Sequence, residues 1–383
     1  MTRAQKSPEG GTRSSASLVP TLALTILLPF TGTWNPPAAA AIDVSATAPQ
    51  TVFSDLNNEI SAQLDLLVAQ AEQELARYDD QTELVRGFAD ATAAASAVAT
   101  PRTRFEYEVF AVTIGSMVGA QLPFLSISPQ AAQAALEQVQ EEGDVNAGLA
   151  WQVWSAHIGV NGGFLLDGLF LGLKFGRQVL EYQGLTMTAL NLGLTARYNL
   201  VKGRSLLPLV KWTGVTVGSG FLYEHSRISY LVPVDVLEAP VSYDPDGPGG
   251  ADPVTGTVLM DPTVELASAA GTATIPVDVL TGIELLWVVN LTLGAGFDVS
   301  FGVSEIDLSA AGSTNLEGDL AALQTAPGSV TVDGGTGGVG PSVLRPRFTA
   351  VLALTPGPVT VEVPLTYYIG YGFHLGLNVT GSW

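Results

Sequence analysis

The sequence predicts an all-β protein: a transmembrane antiparallel β-barrel of about ten strands, with 8–14 compatible, carrying an N-terminal helical head or plug. Three observations predict it. Segments of about ten residues alternate apolar with small or polar side chains, the period of a strand with lipid on one face and water on the other. Only 14% of the 383 residues are charged, against roughly 25% in an ordinary soluble domain, and mean hydropathy is +0.32. Yet no apolar run reaches the roughly 20 residues a helix needs to cross a bilayer. A soluble sandwich alternates too, but it opposes large apolar side chains across two sheets. Here the second face carries Gly, Asn, Thr and scattered charge, which suits a wet lumen.

The elements follow in chain order. Residues 1–17 hold Arg3, Lys6 and Arg13 against one acid, Glu9; residues 18–30 are mostly apolar, and Ala38, Ala39, Ala40 and Ala41 precede Ile42. This succession predicts a secretory signal peptide over 1–41, with a retained anchor as the alternative. The chain has no Cys, which excludes disulfides, lipoprotein acylation, thiolate zinc sites and thiol catalysis. Its 36 acids against 16 bases give a net charge of −20, so phosphates are repelled and nucleic acid is excluded as a partner.

Next, Leu56, Ile60, Leu64, Leu67, Val68, Ala71 and Leu75 recur every three or four residues, with Glu59, Asp65, Glu72 and Glu74 between them. That is an amphipathic helix over 55–78. Residues 79–103 are small and polar, Ala-rich over 89–99, and form a second helix or an extended plug. The segment 42–103 is expected in the periplasm or in the lumen, and 104–383 forms the barrel.

The predicted strands are 105–122, 149–160, 165–178, 187–200, 209–228, 275–285, 289–303, 344–355, 359–368 and 371–383. In the C-terminal pair, Val359, Val361, Val363 and Leu365, then Phe373, Leu375, Leu377 and Val379, share one face, while Thr360, Glu362, His374 and Asn378 share the other. Asp167 and Glu224 interrupt the faces of their strands. An even strand number puts both ends on one side, with short turns periplasmic and long connections outside. The short turns are 161–164, 201–208, 286–288 and 356–358; the outer connections are 123–148, 179–186, 229–274, 304–343 and 369–370. The long ones read as acidic, flexible loops over the barrel mouth, with a short helix over 129–142. Trp383, in phase with the apolar face of the last strand, resembles an outer-membrane insertion signal. Outer-membrane lipid and the barrel-insertion machinery are the partners this implies.

The inner-face charges sort by height. Arg197, Glu284 and Glu362 lie toward the periplasmic end; Asp298, Arg345, Arg347 and His374 lie toward the outer end. Each layer mixes signs, as a lumen network does when it neutralises buried charge; a constriction that selects solutes is the sharper reading. No catalytic residue, metal or cofactor is predicted. His157, His225 and His374 sit on separate strands without ligand spacing, and Asp298 with His374 is the one candidate acid–base pair. The Asp-Pro-Asp-Gly run at 244–247 lacks the spaced ligands and terminal Glu of a calcium loop. The Gly-rich run at 334–340 lacks the Lys of a phosphate loop.

Three stretches carry a family resemblance: "LVRGFADATAAASAVATPRTRFEYEVFAVTIGSMVGAQLP", "NAGLAWQVWSAHIGVNGGFLL" and "LVKWTGVTVGSGFLYEHS". With the helix before them, they make the chain similar to the leptospiral surface-adhesin family of spirochaete outer-membrane (lipo)proteins over most of its length. That resemblance implies a surface location in the cell outer membrane and an extracellular-matrix ligand. In architecture the chain also resembles the long-chain fatty-acid outer-membrane transporter, which implies a hatch at 79–103 and a path for a hydrophobic solute. The function expected is a narrow or plugged channel for small or hydrophobic solutes. The alternatives are an adhesin acting through 229–274 and 304–343, and a barrel that is structural alone.

Overall fold

The computed structural model describes residues 40–75, 82–98, 109–121, 148–182, 184–232, 236–244 and 253–383. The predicted signal peptide up to residue 39 and the predicted helix at 129–142 lie outside the described residues. The elements are β1 (Ala40–Thr47), β2 (Gln50–Thr51), α1 (Ser54–Leu75), α2 (Thr82–Val98), β3 (Phe110–Gln121), β4 (Gly148–Asn161), β5 (Leu169–Tyr182), β6 (Leu185–Leu207) and β7 (Val210–Val232). They continue as β8 (Leu237–Tyr243), β9 (Val254–Leu285), β10 (Val289–Gly318), a 3₁₀ turn (Asp319–Leu323), β11 (Gln324–Ala326), β12 (Gly328–Val339), β13 (Leu344–Leu354), β14 (Val359–Tyr368) and β15 (Gly372–Ser382).

Ten of these strands close into an antiparallel ring, in the order β3-β4-β5-β6-β7-β9-β10-β13-β14-β15, with β15 paired back onto β3. Closure leaves no edge with unpaired backbone groups, the condition for strands to lie in lipid. All ten predicted barrel strands are present, and the fold is a transmembrane-type β-barrel. Around the ring Ile114, Val118, Leu173, Leu192, Leu194, Leu293, Leu352, Leu375 and Leu377 are exposed, while Thr113, Gln152, Lys174, Asn191, Thr292, Thr366 and Asn378 are buried. Apolar outside and polar inside is the inverse of a water-soluble protein. It is stable where the outer solvent is hydrocarbon.

The structure corrects the reading of 229–274 and 304–343 as flexible loops. β9 and β10 stay paired from Leu285↔Val289 to Gly256↔Gly318, far beyond the ring. β7 leaves β9 at Val264 and β13 leaves β10 at Val299; past those points β8 takes the edge of β9, β12 takes the edge of β10, and β1 adds to β12. A five-stranded sheet, β1-β12-β10-β9-β8, therefore projects from the end of the barrel opposite the short turns. Past those points β9 continues for roughly 33 Å and β10 for roughly 63 Å, at about 3.3 Å per residue. The Gly-rich run at 334–338 lies in β12. The run Ser309-Ala310-Ala311-Gly312, in the projecting part of β10, lacks the large apolar face that lipid imposes on the ring strands.

The helical segment divides between two places. α1 lies on the projecting sheet: Leu56 and Ile60 pack with Val241, Val258, Leu316 and Leu320, and Val68 and Ala71 pack beside Val44, Ala310 and Val332. α2 runs inside the ring, against β3, β4, β7, β9, β10 and β15, and every residue from Gly87 to Val98 is buried. Residues 99–103 of the expected plug lie outside the described residues.

The short-turn end carries exposed Phe164, Leu165, Leu206, Leu207, Leu286 and Trp287, interleaved with Lys202, Arg204 and Lys211. Apolar, aromatic and basic side chains together suit a membrane–water boundary. Leu286 and Trp287 both take positive φ, 54° and 59°, as a two-residue mirror-image turn demands, although bulky side chains are strained there. Asp167 accepts a hydrogen bond from Lys202 at 2.7 Å, and that bond holds its carboxyl below the usual range.

Candidate functional site

The lumen and the helix inside it form the candidate site. Arg345 and Arg347 are two apart on β13, so both turn inward, and neither reaches solvent. Arg347 Nε donates to Asp298 Oδ1 at 2.9 Å, and its Nη2 lies 2.7 Å from Asp278 Oδ1. Tyr368 Oη donates to Asp298 Oδ2 at 2.7 Å. One guanidinium thus faces two carboxylates from β9 and β10, the compensation a buried cation requires. The His374 ring meets Tyr368 edge-on, with centroids 5.3 Å apart. Gly119 makes room for it, since a Cβ there would lie 1.8 Å from His374 Nδ1.

Arg345 ties this wall to the helix. It donates through Nη2 to Ser300 Oγ at 2.9 Å and through Nη1 to the Asp90 carbonyl, with Nε 3.9 Å from the Asp90 carboxylate. That carboxylate also accepts from Ser342 N at 2.6 Å and Ser342 Oγ at 2.8 Å. Further along α2, Thr92 and Ser226 share a 2.8 Å hydroxyl bond, and Thr274 Oγ1 donates to the Ala93 carbonyl at 3.2 Å. Lys174 Nζ donates to the Ser96 carbonyl at 2.6 Å. A cation at that position faces the carbonyls of the last helical turn and the negative end of the helix dipole. Wall residues from β5, β7, β9 and β13 therefore hold the helix.

The fit between helix and wall is incomplete. Both amide atoms of Gln152 and of Asn191, both ring nitrogens of His374, Glu224 Oε2 and Thr272 Oγ1 are buried without a hydrogen-bond partner among the described residues. A cavity about the size of one water lies between Ala97 of α2 and Thr195, Arg197, Ser219, Leu222, Pro276 and Asp278 of the wall. Among the described residues no three His, Asp or Glu side chains gather as metal ligands.

The structure brings four of the predicted charges, Asp298, Arg345, Arg347 and His374, into one cluster around Tyr368. The other three lie apart from it. Glu362 meets Asn378 at 3.4 Å, Arg197 lines the small cavity, and Glu284 is half-buried near the short turns, across from Lys211. Trp383 is exposed, stacks on Phe110 with centroids 5.0 Å apart, and pairs with it through backbone bonds where β15 meets β3. Sequence reasoning passed over Lys174, Glu224, Asp278, Tyr368 and Asp90. For Lys174, Glu224 and Asp278 the signal was parity, since each shares the buried face of its strand. For Asp90 it was a lone acid in the Ala-rich stretch 89–99.

Comparison with known proteins bears on family. None of the curated proteins matches the chain. The translocator domain of the autotransporter NalP from Neisseria meningitidis matches 83% of this chain and 98% of its own, at 9% identity and a TM-score of 0.26. The CymD monoaromatic hydrocarbon channel matches 72% and 89%, at 9% identity and a TM-score of 0.23. A Pseudomonas aeruginosa FadL homologue matches 79% and 98%, at 8% identity and a TM-score of 0.20. A family model described as Lsa36-like matches residues 38–383, nearly all of the sequence. The family resemblance carried by the three quoted stretches holds, and the chain belongs to the Lsa36-like family.

Proposed function

We propose that the protein is an outer-membrane barrel working as a plugged channel for small solutes, with α2 as the plug. One observation carries this reading: buried hydrogen-bonding groups of the wall stand unmet beneath a helix of small side chains. Each such group costs about 1–3 kcal/mol while it is kept from water. A barrel meant to stay filled would satisfy those groups or replace them with apolar ones. A wall that faces water whenever the helix shifts keeps them. The polar lining favours small polar solutes over hydrophobic ones. Export through residues 1–41 and insertion guided by Trp383 belong to the same reading. Single-channel recording in a planar bilayer tests it, using the refolded protein and a form lacking 42–103. Discrete steps that grow on deletion are expected. Silence from both forms after confirmed insertion would remove the channel.

A second reading, a surface adhesin, is favoured by the projecting sheet. The sequence has no Lys or Arg between Arg227 and Arg345, nor anywhere in residues 40–75. The platform that these segments build bears Asp261, Glu265, Glu305, Asp307, Glu317 and Asp333. Such a surface selects basic partners and repels phosphate. Binding to an immobilised extracellular-matrix protein should weaken as salt rises; binding indifferent to salt would count against this surface.

A further inference from the structure

α2 lies inside the barrel with a fixed polarity, and this polarity has a topological consequence. The turns at 162–168, 208–209, 286–288 and 355–358 share one end with the start of β3 and the close of β15. The five-stranded sheet rises from the opposite end. α2 runs between the two. Asp90 is held by Ser342 and Arg345, where β13 begins at the sheet end. Ala97 lies lower, beside Arg197 and Ser219, which are nearer the short turns. Upstream of α2, α1 descends along the sheet toward the barrel mouth. Leu56 packs near the far ends of β9 and β10, beside Val258 and Leu316, and Val68 packs further down, beside Val264 and Leu308.

We propose that residues 42–75 are displayed on the outer face of the membrane, and that the barrel lumen is the path by which they cross it. α2 is then the stretch of the crossing chain that stays in the pore. This rests on the outer-membrane reading above, in which short turns remain periplasmic. Three features support it. The backbone already runs inside the ring as α2, with Asp90 toward the sheet and Ala97 toward the short turns. The segment carries Asp43, Asp55, Glu59, Asp65, Glu72 and Glu74, charges that hydrocarbon opposes and a polar lumen admits. Finally, its folding partners all lie on the far side. β1 needs β12, and Leu56 and Ile60 need Val258 and Leu316. Before crossing, the segment has nothing to fold on; after crossing, docking buries its apolar side chains and makes return unfavourable.

A chain without Cys allows a direct test. Ala62→Cys places a thiol on the exposed side of α1, and Pro356→Cys places one in a short turn. Each full-length variant is treated with a membrane-impermeant maleimide, on intact cells and after lysis. The expected result is equal labelling of Ala62→Cys in both samples, with labelling of Pro356→Cys lost in intact cells. The reverse pattern would overturn the proposal while leaving the barrel in the membrane. Loss of both signals in intact cells would also overturn it. Labelling of both in intact cells would remove the outer-membrane reading itself. A second experiment addresses the route, with a fast-folding domain wider than the ring inserted between Ala41 and Ile42, after the signal peptide. Labelling of Ala62→Cys on intact cells should be lost with that fusion and restored when the domain carries a mutation that keeps it unfolded. Labelling that survives the folded fusion would overturn the lumen as the path.

Discussion

Arg347 concentrates the electrostatics of the wall, because two carboxylates and, through Asp298, a tyrosine hydroxyl depend on it. Asp298→Asn leaves a buried guanidinium undercompensated and should destabilise the barrel by about 3–5 kcal/mol, read as a lower urea midpoint. Gly119→Ala should cost about 1–3 kcal/mol in the same measurement, because the new methyl occupies the space of the His374 ring. Period two told which face each strand residue takes. It did not tell what the charges on that face would meet. Glu224 reads as a defect in an apolar stripe until the inside of the ring is known to be polar. Lys174 gains its role from a helix carbonyl some eighty positions earlier in the chain, a contact no local pattern encodes.

The two helices show how side-chain size selects surroundings. α1 carries large apolar side chains on one face and docks on a sheet. α2 is Ala-rich, and its small side chains let it lie inside a ten-stranded ring, a size between filled and open barrels. Arg345→Gln should loosen α2, since it removes the link to the Asp90 carbonyl and carboxylate. More frequent or larger conductance steps in a planar bilayer are expected. Leu56→Asp with Ile60→Asp should free α1 from the projecting sheet, because both side chains are fully buried there. Limited proteolysis should then cut within 54–75 while the barrel keeps its heat resistance. The barrel strands were legible because lipid imposes alternation wherever it touches them. The projecting strands were not, since water lies outside them and small residues suffice.

At the scale of the molecule, the seam between β15 and β3 closes the ring, and Trp383 seals it by exchanging backbone bonds with Phe110. Removing Trp383 should lower the fraction of protein that folds into lipid vesicles, measured as the compact, heat-modifiable band on electrophoresis. Insertion unaffected by the deletion would leave Trp383 with a packing role alone. The sequence by itself determined that the chain is a β-barrel, which ten segments form it, and which connections are short. Those properties follow from the solvents on the two sides of each strand, and solvent acts on every residue locally. Only the tertiary structure decided that the two longest connections build one sheet, that α1 lies on it, and that α2 runs through the ring. These depend on pairings such as β1 with β12 and Asp90 with Arg345, between segments more than two hundred residues apart. Neither partner of such a pair carries a mark of the other until the ring has closed and placed them together.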